Sequence, residues 1–188
     1  MKKKIWIGVL MMLCVVMAVQ GTIAYTTKEE TARNVITSGA VMVKILQQQE
    51  GSDQWQPYEA EALSVKPSDT VAKRVAVENE KESAWVRAKC VISAYDAQNI
   101  PMEMEEDALE ALVILSMNTE DWVCKDGWWY YPTSLQKGDR TEMLLESITF
   151  SRTMGNAFQG STIHFDVIVQ AVQTANNGTT IWEAAGWE

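Results

Sequence analysis

The sequence predicts a mainly β protein: a jelly-roll-like antiparallel β-sandwich with one or two short helices. Three observations lead there. Beyond residue 39, apolar and polar residues alternate over most of the 188-residue chain, and period two with β-branched residues marks strands with one buried face. Turn-forming clusters separate these stretches. Only one segment has helical spacing, and no repeat or change of composition divides the chain, so many short strands and little helix belong to one unit.

The elements follow in order. "GAVMVKIL" puts Val41, Val43 and Ile45 on one face, and "DTVAKRVAVENE" does the same with Val71, Val75 and Val77. In "SAWVRAKCVIS", Ala84, Val86, Ala88, Cys90 and Ile92 alternate against Trp85, Arg87 and Lys89. "PMEMEEDALEALVILSM" breaks the pattern: Pro101 stands at its front, acids fill the first turn, and Leu109, Leu112, Val113 and Met117 recur at helical spacing. This predicts a short helix from about Glu105, running into a strand at Val113 to Ser116. "DGWWYYPTSL" is an aromatic strand with one Trp and one Tyr to each face. "TIHFDVIVQAVQ" closes the series, with Ile163, Phe165, Val167, Val169 and Ala171 opposite His164, Asp166 and Gln170. Turn chemistry lies at "KPSD", "KDG", "KGD" and "NNGT". The expected core is Val41, Val43, Val75, Val77, Val86, Ala88, Ile92, Ile148, Phe150, Phe165, Val167 and Val169.

Ahead of the strands lies a different kind of sequence. Lys2, Lys3 and Lys4 precede an uncharged run of fifteen residues, Ile5 to Val19, closed by Gln20 and Gly21. Basic, then apolar, then small and polar is the plan of a secretory signal, and the run is short for a transmembrane helix of ~20 residues. A cut after Ala24 makes Tyr25 the mature N-terminus. The expected layout is a cleaved signal over 1–24, an N-terminal segment over 25–38 and a β-sandwich over 39–188. The mature chain then carries 13 basic against 25 acidic residues. That disfavours nucleic acid, which needs clustered Lys and Arg, and suits a secreted protein that meets the membrane only through its uncleaved signal. There is no Leu-Pro-x-Thr-Gly motif and no second apolar span, so no covalent attachment to a wall is expected.

Residues able to carry chemistry are few. Cys90 and Cys124 remain after cleavage and are either a disulfide or two separate thiols. His164, the single histidine, is the one imidazole available to a serine or cysteine hydrolase; the alternative is a solvated strand residue. Glu103, Glu105, Glu106 and Asp107 read as a solvated helix start rather than a calcium loop, since no D-x-D-x-D-G pattern is present. A zinc protease would need paired histidines, as in H-E-x-x-H, which is absent. No catalytic, cofactor or metal site is expected. Trp128, Trp129, Tyr130 and Tyr131 either divide between core and a neighbouring surface or stack on sugar rings.

The order of segments resembles the TasA/camelysin family of Gram-positive biofilm-matrix fibre proteins. "GTIAYTTKEETARNVITSGAVMVKI" is similar to that family's signal-peptidase site and entry strand, with matches at Tyr25, Asn34, Ile36, Gly39, Val41 and Val43. Thr27 departs from the family's usual Asp or Asn. "LSVKPSDTVAKRVAVENEKESAWVRAKCVIS" resembles its paired strands, with Ser68 in place of Gly. "DWVCKDGWWYYPTSLQKGDRTEMLLESITFS" and "GSTIHFDVIVQAVQ" resemble its later ones. The resemblance implies a jelly roll, a signal peptidase of the SipW type, secretion, and self-assembly into extracellular fibres, with other matrix proteins or polysaccharide as further partners. The name camelysin also carries a metalloprotease claim, for which this sequence offers no ligands. Residues 25–38 are rich in Thr and β-branched types and contain no Pro, so they are strand-compatible yet too polar to collapse alone. The expectation is donor-strand assembly, in which this segment (Tyr25, Thr27, Asn34, Ile36, up to Gly39) adds to the sheet of the next subunit. The alternative is a cell-surface carbohydrate-binding module built on Trp128 to Tyr131.

Overall fold

The period-two stretches become strands, and the chain sorts them into two sheets. The computed structural model describes residues 34–36, 41–48, 51–64, 66–155 and 158–187. The expected signal, its cleavage site at Ala24 and Tyr25, and Thr27 and Gly39 lie outside the described residues. The elements are β1 (Asn34–Ile36), β2 (Val43–Gln48), β3 (Trp55–Pro57), β4 (Glu61–Ser64), β5 (Thr70–Asn79), β6 (Ala84–Tyr95), α1 (Glu106–Glu110), β7 (Val113–Met117), β8 (Val123–Lys125), β9 (Trp128–Leu135), β10 (Leu145–Phe150) and β11 (Thr162–Gln173). The first sheet runs β1–β11–β6–β9–β8, with β4 also on β11; the second runs β3–β2–β5–β10–β7. All pairings are antiparallel except β1 on β11.

From β4 onward the connectivity is that of a jelly roll. One sheet takes β4–β11–β6–β9 and the other β5–β10–β7, so the chain crosses repeatedly between layers. An eighth strand would lie beside β7. Here β8 pairs with β9 instead, and the reason is local. Asp126 and Gly127 both hold positive φ, 52° and 75°, the two-residue turn that matches strand twist and closes a tight hairpin. That turn ties β8 to β9, and no other strand among the described residues takes the position beside β7.

The core lies between the sheets as the alternation predicts. All the expected core residues are buried except Ile92, which is half-buried and packs against the same cluster. Trp122 joins them, its indole donating to the Glu142 carbonyl at 3.1 Å. Asn79, fully buried, donates to the carbonyls of Glu82 and Leu135 at 2.8 and 3.0 Å. It thereby ties the β5–β6 turn to the end of β9.

The outer face of the first sheet differs from expectation. Trp85 and Arg87 alternate as a polar face should, yet they are 7 % and 8 % exposed. The cause is the chain after β11, which folds back over this face. Ile181, 1 % exposed, packs on Trp85 and Val172 in a small second core. The tail is braced by Asn177, whose amide donates to the Ala185 carbonyl (2.9 Å) while its oxygen accepts from the Ala185 N–H (2.8 Å). Gly178 has φ +72°, and a Cβ there would meet the Glu183 Cβ at 2.8 Å.

Candidate functional site: an open seam and an aromatic face

The open position beside β7 forms a seam along one side of the sandwich. β9 pairs with β6 only over Ala84–Ala88. Further along β6, the Ala94 carbonyl accepts from the Met102 N–H on the side away from β11. By the two-residue repeat, the backbone groups of Cys90 and Ile92 point the same way. No strand pairs with them there among the described residues. Facing this edge is β7, whose outer edge is likewise unpaired among the described residues. Between them runs a groove of mixed lining in two parts that share residues. One, of about 390 Å³, is lined by Ala94, Met102, Met104 and Leu109. The other, of about 550 Å³, is lined by Val113, Ile114, Met117 and Trp129. Cys90, Ile92, Leu115 and the charged Glu110 belong to both, and Lys89 lines the second.

The edge strands differ in how they are protected. Natural edges are kept short or carry Pro or charge to discourage further pairing. β3 is three residues long and ends in Pro57; β8 is three residues long and ends in Lys125. β7, Val-Ile-Leu-Ser-Met, has neither charge nor Pro. Ile114 on β7 and Val123 on β8 are 52 % and 44 % exposed. The seam is therefore the sheet edge among the described residues that combines a strand without charge or Pro with an adjoining groove.

β1 sits on the other side. Asn34–Ile36 pairs with Val169–Ala171 of the same chain and lies close to β2. β4 already holds Thr162–Phe165. Only Asp166, Val167 and Ile168 separate the two along β11, so little of that edge of β11 is left unpaired by the described residues. The sequence placed the whole of residues 25–38 in a neighbouring subunit; the structure seats its Asn34 and Ile36 on the subunit's own sheet.

The aromatic strand divides as predicted. Trp129 and Tyr131 pack against the core, and Tyr131 lies 5.1 Å from Trp122. Trp128 and Tyr130 face outward, where they meet Arg87 and the tail. The Arg87 guanidinium lies 4.2 Å from the Trp128 ring and 4.8 Å from the Trp187 ring. It donates to Gln170 Oε1 from Nε (2.9 Å) and from one terminal nitrogen (2.6 Å), and to Tyr130 Oη from the other (3.0 Å). Trp182 is 48 % exposed, with its ring 5.2 Å from that of Tyr130. Sequence reasoning missed Trp182 and Trp187, although "TTIWEAAGWE" is rich in apolar residues, because the tail has no strand or helix period.

Cys90 and Cys124 are free thiols, so the disulfide alternative does not hold in this structure. Cys90 is on β6 and Cys124 on β8, with β9 between them. Two strand spacings put their Cα atoms roughly 10 Å apart, beyond the ~7 Å a disulfide spans. Burial pushes the Cys90 thiol up to about 12, which keeps it protonated and unreactive.

His164 lies across from Ser93, with Asp166 two residues along on the same face. No hydrogen bond joins Ser93 to His164 among the described residues, and the imidazole packs on Tyr95 at 4.5 Å. Glu103, Glu105 and Asp107 are exposed around the start of α1, as a solvated helix start should be. No group of three or more metal-ligating side chains gathers among the described residues, and no helix among them is long and apolar enough to cross a membrane.

Asp166 gives a pH-dependent prediction. Loss of water raises its carboxyl above the ordinary 3.8, against the pull of His164. The folded chain then holds this proton to higher pH than the unfolded chain. The group therefore lowers stability as pH rises through the shifted value, and the penalty disappears below 3.8. Asp166→Asn should melt above wild type at pH ~7, with the gap closing in acid. Thermal melts across that range that keep a constant gap, or none, contradict this.

No protein-family model, curated protein sequence or solved structure matches the chain. The described residues define a mainly β protein, a jelly-roll-like sandwich with one short helix.

Proposed function

We propose that the mature chain is a secreted structural subunit of extracellular biofilm-matrix fibres, added head to tail by strand donation. The observation that carries this reading is the seam: an uncharged β7 strand, a partly apolar groove beside it, and backbone on β6 that no strand pairs with among the described residues. An added strand is the group that satisfies such a surface, and main-chain hydrogen bonds give it affinity whatever its side chains. That suits a polar donor. The nine residues from Tyr25 to Arg33 reach about 30 Å when extended. β1, which follows them in the chain, lies on one side of the first sheet, and the seam lies on the other. A contact between two different surfaces that does not close on itself gives an open filament. The basic-then-apolar start and the family resemblance support secretion and the fibre role.

The experiment is assembly of the chain beginning at Tyr25, followed by sedimentation and electron microscopy. Deleting residues 25–33 leaves β1 in place, and Ile114→Lys charges the edge at a side chain already half in water. Both should give folded monomers, and the deleted domain should bind a peptide of Tyr25 to Arg33. A deletion variant that polymerises like the full chain would overturn strand donation. Fibres from Ile114→Lys at the normal rate would move the acceptor away from β7.

A further inference from the structure

We infer that the outer face of the first sheet, at Trp182, Tyr130 and Lys125, binds an acidic polysaccharide. Trp182 is the only exposed tryptophan among the described residues. It is not a loose end. Ile181, next to it, is locked against Trp85 and Val172. Glu183, on its other side, accepts from both the backbone N–H and the hydroxyl of Thr179 at 3.0 and 2.9 Å. Ile181 and Trp187 already reach the cluster beneath the tail, so covering Trp85 does not require an aromatic side chain at position 182 in water.

The neighbouring rings are held as firmly. Tyr130 lies 5.2 Å from Trp182 with the planes 42° apart, and Trp187 meets Tyr130 edge-on at 6.1 Å. The buried Arg87 fixes Tyr130 by a hydrogen bond and Trp128 by stacking. Two rigid rings at an angle make a shelf whose apolar faces suit the C–H face of a pyranose, at little cost in side-chain freedom. Charge selects among sugars. The chain carries a net charge of −9, yet Lys125 Nζ stands 5.9 Å from the Trp182 ring and is exposed. An exposed cation beside an aromatic shelf on an otherwise acidic protein fits a saccharide that bears carboxylates.

This inference does not depend on fibre assembly and is tested on the unassembled chain. Tryptophan fluorescence and calorimetry would follow binding of an oligogalacturonate and of a maltooligosaccharide of equal length. The acidic oligomer should bind saturably and more weakly at high salt, and the neutral one should bind poorly. Trp182→Ala should weaken binding by about tenfold. Lys125→Ala should weaken it and remove most of the salt dependence. Trp55→Ala, at the far β3 edge beside Arg140, should bind as wild type. Circular dichroism would establish that each variant is folded. No saturable binding of the oligogalacturonate, equal binding of the neutral oligomer, or undiminished binding by Trp182→Ala would each overturn the assignment.

Discussion

Val167→Asp is expected to leave no folded domain. Val167 is fully buried at the middle of β11, flanked on the same face by Phe165 and Val169, and pairs across the ladder with Cys90. Its side chain points between the sheets, where the cluster around it is apolar. A carboxylate there must either ionise without a partner or fold protonated, and either costs several kcal/mol. Domains of this kind have roughly 5–15 kcal/mol in total. Val167→Ala keeps the face apolar and should lose on the order of 1–3 kcal/mol through lost transfer energy and the space left behind. Chemical denaturation followed by circular dichroism measures both. A soluble Val167→Asp protein with a wild-type transition would mean that the two faces of β11 are the reverse of those described.

Arg87→Ala should cost about 3 kcal/mol, far more than a surface arginine. The guanidinium donates twice to the buried Gln170 and once to Tyr130. Its flat faces fill the space between Trp128 and Trp187. Alanine removes the charge, the fork and the packing together. Arg87→Lys should recover little, because a point charge cannot reproduce the fork or the stacking. The tail should loosen first, so that tryptophan emission shifts toward that of solvated rings before the main transition in urea. An Arg87→Ala protein within ~0.5 kcal/mol of wild type, as surface substitutions usually are, would show that the tail is held by Ile181 alone.

The strands were the most legible part of the chain, for a physical reason. A sheet with one buried face imposes period two on the sequence, and "TIHFDVIVQAVQ" shows it over the length of β11. The turns were legible too, since Asp126, Gly127, Gly138, Asn176 and Gly178 hold the positive φ their residue types favour. Ser68, where the resembling family has glycine, takes φ 68° as well. What the sequence hid were long-range choices. Trp85 and Arg87 alternate like solvated residues, and nothing local reveals that a tail eighty-odd residues later will cover them. β1 is three residues long and parallel to its partner, too short for a period to be detected. The seam follows from a two-residue turn that diverts β8, a consequence visible only once the sheet order is known.

The place of β11 bears on how the molecule comes into being. It is the last described strand in chain order, yet it is interior to the first sheet, with β6 on one side and β1 and β4 on the other. Its pairs with β6 close loops from 67 residues (Tyr95 to Thr162) to 89 (Ala84 to Gln173). Such non-local closure makes folding slow, in the millisecond-to-second range for β-rich domains. Until β11 has been made, β1 and β4 have no sheet to join and one flank of β6 stays bare. At ~5–20 residues per second of synthesis, that interval lasts roughly 4–18 seconds. The nascent chain is thus kept open and threadable by its own topology, and a stop ahead of Thr162 would remove the middle of a sheet rather than trim its rim.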